Sequence, residues 1–395
     1  MNILQLSQTT IYPPKSGGEH RTHGLVTSFP DLGHTVQRYC VGGLFSNHSF
    51  PEIESKIQIS RNYTEIRPIC PLYDLPSIPA SVLEVPGTWT GPILKVFPQQ
   101  ELINQIEEAD VILAEGPHLV RPAVQLSENS VILYSSHNVE IDRWSHLQNT
   151  YLKDRYYNSL KKSESFAVSE SDGVICVSEQ DLQRFSEIYG SVSNPVIVPN
   201  GTYESNIHNN VDRSSSNVRK DLGIDLDQTV ALFVGSDYGP NVDAARKIVT
   251  WSEQACDENQ DIHFLLVGNV GNRIDADNNH LTVTGFVDNI EPMYACADIA
   301  LNPITDGAGS NIKIIDYLAR GLPVISTPFG VRGFEFEENT IIINEIESIY
   351  NRVKEYGSGS KQIQQRKIQT VASKYTWHTL SKKLLSYLGE NFNAE

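Results

Sequence analysis

Cysteine, positive charge and long apolar runs are all scarce in this 395-residue chain. Its five cysteines, Cys40, Cys70, Cys176, Cys256 and Cys296, lie far apart and form no CxxC pair. That excludes a disulfide scaffold or a zinc site of the usual spacing and leaves them as small hydrophobes for a core. Lys and Arg number 31 against 48 acids, a net charge of −17. Duplex nucleic acid is therefore not expected as a partner, because its phosphates need a basic face, and bulk attraction to an anionic membrane is not expected on the same ground. The most basic stretch, KDRYYNSLKK at 153–162, reads either as a local patch or as a solvated helix face. No window approaches the roughly 18–20 apolar residues of a membrane span, and MNILQLSQTT is too poor in apolar and basic residues for a signal peptide. The expected location is cytoplasmic.

Several catalytic signatures are missing too. No lysine follows the glycines of FVGSDYGPNVDAA (233–245) at P-loop spacing, and GAGSNI (307–312) has only the first two glycines of the dinucleotide fingerprint. There is no Gly-x-Ser-x-Gly elbow, and the histidines show no HExxH or other compact metal spacing.

What is present is the composition of an ordinary globular protein, 39% hydrophobic and 20% charged, long enough for two domains. Short apolar runs recur at 2–6, 34–41, 110–115, 130–136, 173–178 and 195–200, and again at 229–236, 262–269, 281–285, 298–303, 322–327 and 340–344. Most are followed by amphipathic stretches of helix length, as at 179–189 behind Ser178 with Asp181 three residues on. This alternation predicts an α/β protein with two doubly wound parallel sheets, one per domain. Residues 201–219, rich in Asn and Ser, read as the interdomain linker, while 40–100 carry many prolines and no readable period. The domains are placed at 1–200 and 201–375, with their ligand edges facing each other across a cleft.

The stretch LNPITDGAGSNIKIIDYLARGLPVISTPFGVRG (301–333) reads as strand, glycine turn, helix, strand. Gly307 and Gly309 let backbone N–H groups approach an anion, and the helix start behind them adds a positive dipole end. Lys313 falls in the first turn of that helix, where a cation opposes the dipole by about 0.3–1 kcal/mol. Two readings stand at this point. Either an anion compensates, or Lys313 pairs with Asp316 on a solvated face beside Tyr317 and Arg320, while Ile312, Ile315 and Ala319 turn inward. Gly17 and Gly18, between the first strand and a helix, allow positive φ and close approach of a ligand, or simply make a turn. His137, just after a strand, is either structural or placed to bond a sugar hydroxyl. Gly235 and Ser236 open the second domain's first loop, and Gly285 and Phe286 make a turn that either holds a nucleobase or connects a strand to a helix.

In order along the chain, the GG loop, HN after a strand, ICVSEQD, VPNG, FVGS…PNVDAA, VTGFV…YACADIALNP, GAGSNIKIIDYLARGLPVIST and a closing tryptophan helix resemble the family-4 retaining glycosyltransferases of GT-B architecture. The resemblance spans nearly the whole chain. It implies two Rossmann-like domains, a nucleotide-sugar diphosphate held mainly by the second, and a final helix, about 376–392 with Trp377, crossing back onto the first. Gly17 and Gly18 would face donor phosphates or acceptor, and His137 the transferred sugar. Gly307, Gly309 and Ser310, with Asn311 behind them, would carry the diphosphate, Lys313 would neutralise it, and Asp316 would accept from ribose hydroxyls. Gly235, Ser236, Gly285 and Phe286 complete the expected donor site.

Two motifs depart from the family pattern. Asp316 stands where the second acid of Glu-x7-Glu is usual, Ala308 stands in the first acid's place, and Asp306 is not equivalent. The usual arginine and lysine after the second domain's first glycine are replaced by Ser236, Asp237 and Asn241. The implied activity is transfer of a sugar from a nucleotide-diphosphate sugar to a glycan, lipid-linked or small-molecule acceptor in cell-surface glycan assembly. No metal or other cofactor is expected, because helix dipoles and Lys313 can stabilise the leaving diphosphate. Peripheral association with the inner face of the membrane is compatible with this role. A nucleotide-sugar epimerase of the same architecture, or a non-catalytic nucleotide-sugar binder, are the alternatives.

Overall fold

The computed structural model describes residues 1–42, 55–68, 72, 74, 90–145, 153–208, 216–307, 309–337, 340–357 and 365–392. They form two units, one of Met1–Pro199 with Trp377–Glu395 and the other of Asn200–Thr376.

The first unit is built on an eight-stranded sheet in the order β3-β4-β2-β1-β5-β6-β7-β8. Its strands are β1 (Asn2–Ser7), β2 (Thr35–Cys40), β3 (Lys56–Ser60), β4 (Tyr63–Ile66), β5 (Val111–Glu115), β6 (Val131–Ser135), β7 (Gly173–Cys176) and β8 (Pro195–Ile197). All neighbours run parallel except β3 and β4. That antiparallel hairpin lies in the segment whose prolines hid any period, and it adds two strands that alternation alone did not predict. Helices cover the sheet, so β1 and β5 to β7 are buried nearly throughout, as continuous Val/Ile/Leu runs require. The final helix, Trp377–Phe392, docks against the helix Gly17–Thr27. A Cβ added at Gly24 would lie 2.1 Å from the Trp377 ring, so only glycine lets the indole seat itself. Ser381 Oγ then donates to Leu25 O at 3.0 Å.

The second unit holds a six-stranded, all-parallel sheet in the order β11-β10-β9-β12-β13-β14. These are β9 (Thr229–Val234), β10 (Ile262–Val267), β11 (Leu281–Gly285), β12 (Ile299–Asn302), β13 (Val324–Ser326) and β14 (Ile342–Ile343). Ala231 and Phe233 face one apolar layer while Val230 and Leu232 face the other, which is why β9 reads as an unbroken apolar run. Residues 201–219 are not a bare linker. They include the helix Glu204–His208 and the start of the helix Ser216–Asp221, and Ile207 and Val218 pack on the core.

In both sheets the chain reverses its winding at the centre, between β1 and β5 in one and between β9 and β12 in the other. A parallel sheet opens a crevice at the carboxyl ends of the strands flanking such a reversal. Gly235 and Ser236 follow β9, and Gly307 and Gly309 follow β12, the two strands that flank the reversal in the second sheet.

Candidate functional site

The glycine turn after β12 has the predicted backbone character. Gly307 has φ +123° and Gly309 φ +68°, conformations that side chains with a Cβ rarely adopt. Ala308 between them lies outside the described residues. Asp306 Oδ1 accepts from Gly307 N at 2.7 Å, closing the start of the turn. Behind it the helix Ile312–Ala319 begins, with Asn311 at its cap position. Asn311 gives no side-chain cap; its amide donates to Gly330 O at 3.0 Å and so ties the helix start to the segment after β13.

The same segment supplies a residue the sequence reading missed. Arg332 donates from Nε to Gly309 O at 2.5 Å and from Nη1 to Gly307 O at 2.9 Å, with its guanidinium 4.0 Å over the Phe329 ring. One planar fork therefore fixes both glycine carbonyls. Binding the two carbonyls from that side also sets the orientation of the peptide planes in the turn. Nothing in the spacing of FGVRG announced this.

Lys313 does not pair with Asp316 on a solvated face. Its Nζ donates to Asn241 Oδ1 at 2.7 Å and lies 4.2 Å from the Phe233 ring centroid, and among the described residues it makes no ion pair. Both contacts come from across the reversal of the sheet, from β9 and from the helix Gly239–Asp257. The residue is half-buried rather than exposed as expected, and burial lowers its pKa to about 7. Its neighbours also differ from expectation: Tyr317 is fully buried, Arg320 is 6% exposed, and Ile312 is only half-buried. Tyr317 hydroxyl accepts from Val234 N at 2.8 Å, which pins the helix to β9 and aims Lys313 at the crevice.

Asn241 sits where the resemblance led us to expect a cation. Its amide donates to Ser236 O and Oγ at 3.2 and 3.1 Å, leaving Oδ1 turned to Lys313. Ser236 is exposed, and Asp237 beside it is held by Arg273 at 3.0 Å. Gly235 is buried, and its lack of a side chain serves packing: a Cβ there would lie 2.9 Å from Phe233, while one at Gly268, where φ is +102°, would lie 2.4 Å from Gly235 O. Close packing of two loops requires glycine here.

Ser310 and Asp316 are engaged by the opening residues of the unit. Asn200 donates to Ser310 Oγ at 2.9 Å, and Thr202 Oγ1 donates to Asp316 Oδ1 at 2.8 Å. Asp316 also lies 3.8 Å from Arg320. The VPNG stretch thus braces the glycine turn, and the carboxylate assigned to ribose hydroxyls already has a partner. Gly285, at the end of β11, has φ +67°, and Phe286 beyond it is 64% exposed, an apolar ring presented at the sheet's carboxyl edge.

In the first unit, Gly17 and Gly18 are the first residues of a regular helix and adopt no positive φ. A capping box starts that helix: Ser16 Oγ accepts from Glu19 N, and Glu19 Oε2 accepts from Lys15 N at 2.6 Å and Ser16 N at 3.0 Å. Gly18 is exposed, and a Cβ there would lie 3.6 Å from His137 Nδ1. His137 is not a lone histidine. Its Nε2 is 2.8 Å from Glu115 Oε2, at the end of β5, and 3.3 Å from Thr22 Oγ1.

Behind that pair runs a buried polar chain across the sheet. Gln5 Nε2 donates to Glu115 Oε1 at 2.6 Å and to Thr22 O at 2.8 Å, and Arg38 Nε donates to Gln5 Oε1 at 2.8 Å. Arg38 Nη1 reaches Glu65 Oε2 at 2.8 Å, and Arg67 Nε reaches Glu65 Oε1 at 2.7 Å. Gln5, Arg38 and Glu65 have no exposed surface. Arg38 and Arg67 balance Glu65 and Glu115, which is the condition for keeping four charges out of water. None of these partners was singled out in the sequence. Glu115 closes an apolar strand run, DVILAE, and an acid at that place in a parallel strand was the one signal available.

Residues 228–356 match the family described as glycosyl transferases group 1, about a third of the chain. No curated protein matches. Among solved structures the chain is similar to sucrose-phosphate synthase from Thermosynechococcus elongatus, with 15% identity, 100% of both chains covered and a TM-score of 0.68. It is also similar to Anabaena HepE in complex with UDP-glucose, at 15% identity over 99% and 100% of the chains with a TM-score of 0.66. A glycosyltransferase from Rickettsia africae aligns at 17% identity over 100% and 99% with a TM-score of 0.63.

Proposed function

From a chain with the two-domain GT-B fold, whose second unit matches the group 1 glycosyl transferases, we propose that this protein is a hexosyltransferase using a nucleotide-diphosphate sugar. The observation that carries the reading is the turn after β12: two left-handed glycines, a helix N-terminus and a lysine with no carboxylate partner among the described residues, all at the centre of a doubly wound sheet. In this reading the turn is an anion receptor for the donor diphosphate.

In this reading the backbone N–H groups of the turn and the helix start hold the diphosphate, with Arg332 keeping the turn in shape. Lys313 meets the charge that develops as the sugar leaves, so departure needs no metal. Phe286 offers its ring to the nucleobase, and Gly285 permits the turn that presents it. In the first unit, Glu115 holds His137 so that one ring nitrogen faces a sugar hydroxyl. The acceptor hydroxyl attacks from the side the diphosphate leaves, with retention, and the acceptor is a glycan, lipid-linked or small-molecule hydroxyl of cell-surface glycan assembly.

The test is a thermal-shift screen with UDP, GDP and ADP and their sugars, followed by a transfer assay with and without chelator. One diphosphate is expected to raise the unfolding temperature of the second unit strongly. Loss of transfer on chelation, restored by Mg²⁺ or Mn²⁺, would refute the metal-free mechanism. Binding without transfer to any acceptor would leave the protein a nucleotide-sugar binder.

A further inference from the structure

Lys313 is an unusual choice for a standing positive charge. It lies in the first turn of a helix, where the dipole opposes a cation, and among the described residues it pairs with no acid that would offset that. Several ionisable side chains on the elements around it have other engagements. On its own helix, Asp316 takes the Thr202 hydroxyl, Tyr317 takes Val234 N, and Arg320 is bonded to Glu291 at 2.6 Å. In the loop after β9, Asp237 pairs with Arg273; on the helix Gly239–Asp257, Asp243 pairs with Arg246 at 3.0 Å. In the glycine turn, Asp306 takes Gly307 N, and Arg332 is spread over two carbonyls. What faces Nζ is the Phe233 ring and the neutral amide oxygen of Asn241.

The ring and the amide favour the ammonium modestly, while burial and the helix end disfavour it. Burial brings its pKa down to about 7. A bound pyrophosphate reverses it, because two negative charges close to the amine favour the protonated form.

We propose that the second unit takes up a proton together with its nucleotide-diphosphate ligand, with Lys313 Nζ as the acceptor and Asn241 as the residue that gives it no charged partner until then. The inference rests on the nucleotide-sugar reading above. The lone pair of Nζ takes the proton from solvent or buffer, a new N–H bond points at the pyrophosphate, and no bond of the ligand is made or broken. The site acquires its principal cation on occupation. Asn241 is the positioning residue: its own amide hydrogens are held by Ser236, so it offers Lys313 only an oxygen without charge.

The test is titration calorimetry with UDP-glucose, or whichever of the ADP and GDP sugars binds, at pH 7.5 in buffers of low and high ionisation enthalpy. A nucleotide sugar is the right probe because its pyrophosphate carries no group that titrates near neutrality. The expected result is a binding heat that differs between buffers, with affinity flat below about pH 6 and falling nearly tenfold between pH 7.5 and 8.5, as one-proton linkage requires. Lys313→Arg keeps a permanent charge and should bind with no buffer dependence. Asn241→Asp gives the lysine a partner at rest and should remove the same dependence without touching Lys313. Equal heats in both buffers with pH-independent affinity in the unaltered protein would overturn the proposal while leaving the nucleotide-sugar reading intact. Proton uptake that persists in Lys313→Arg would overturn the assignment to this residue. Failure of every nucleotide sugar to bind refutes the functional reading and this inference with it.

Discussion

Glu115 Oε2 and His137 Nε2 stand 2.8 Å apart at the carboxyl ends of two adjacent strands, β5 and β6. A carboxylate at Nε2 keeps the ring's proton on that nitrogen and leaves Nδ1 as the acceptor for a hydroxyl. Glu115→Gln preserves the volume but not the charge, and an amide can present its NH₂ to the ring, favouring the other tautomer. Turnover should drop by about 10- to 100-fold, the usual cost of losing such a partner, with the donor's Kd unchanged. Steady-state kinetics beside donor titration decide it; an unaltered kcat would remove Glu115 from the mechanism.

Gly18→Ala separates site from fold. The added methyl would sit 3.6 Å from His137 Nδ1, an ordinary contact that covers the nitrogen without a clash. Alanine also favours the helix by up to about 1 kcal/mol over glycine. The variant should be at least as stable as the parent and several-fold slower in transfer. Full activity would mean that nothing approaches His137 from that side.

Arg332→Ala frees the carbonyls of Gly307 and Gly309. With the turn unbraced, nucleotide-diphosphate affinity should fall by about tenfold, on the scale of one or two charge-assisted hydrogen bonds. Arg332→Lys should rescue little, since an ammonium cannot reproduce the fork. Affinity for the bare nucleoside is the control and should not move.

Acid should weaken both units through buried histidines. Burial lowers His23 in the first unit to about 3 and His263 in the second to about 4. The unfolded chain binds a proton at each near pH 6.5 while the folded units do not, so their stability is complete above that pH. It is lost progressively as pH falls from about 6.5 toward 4. Unfolding temperatures measured from pH 7 to 5 should decline, and His263→Gln should flatten the decline for the second unit alone. An unchanged slope in that variant would show that other groups govern it.

The sheets were legible in the sequence because buried parallel strands are written as unbroken apolar runs, as in TVALFV and IHFLLV. The turn after β12 was legible because glycine marks left-handed backbone, and both Gly307 and Gly309 adopt it. The hairpin of β3 and β4 was not, since KIQIS and YTEI are short and half polar and lie among prolines. Contacts between distant residues were equally hidden. Asn241 and Lys313 are 72 positions apart, Gly307 and Arg332 are 25 apart, and no local pattern encodes either bond. Tyr317 was misplaced for a related reason: a tyrosine beside charged residues reads as surface until its hydroxyl is seen bonded to the backbone of β9.

The capping box of Ser16 and Glu19 has a chemical consequence for the first unit. The Glu19 carboxylate already grips the backbone N–H groups of Lys15 and Ser16, in front of the two glycines. Under the proposed function, a phosphate arriving there would meet like charge from Glu19, whereas the neutral hydroxyls of an acceptor sugar would not.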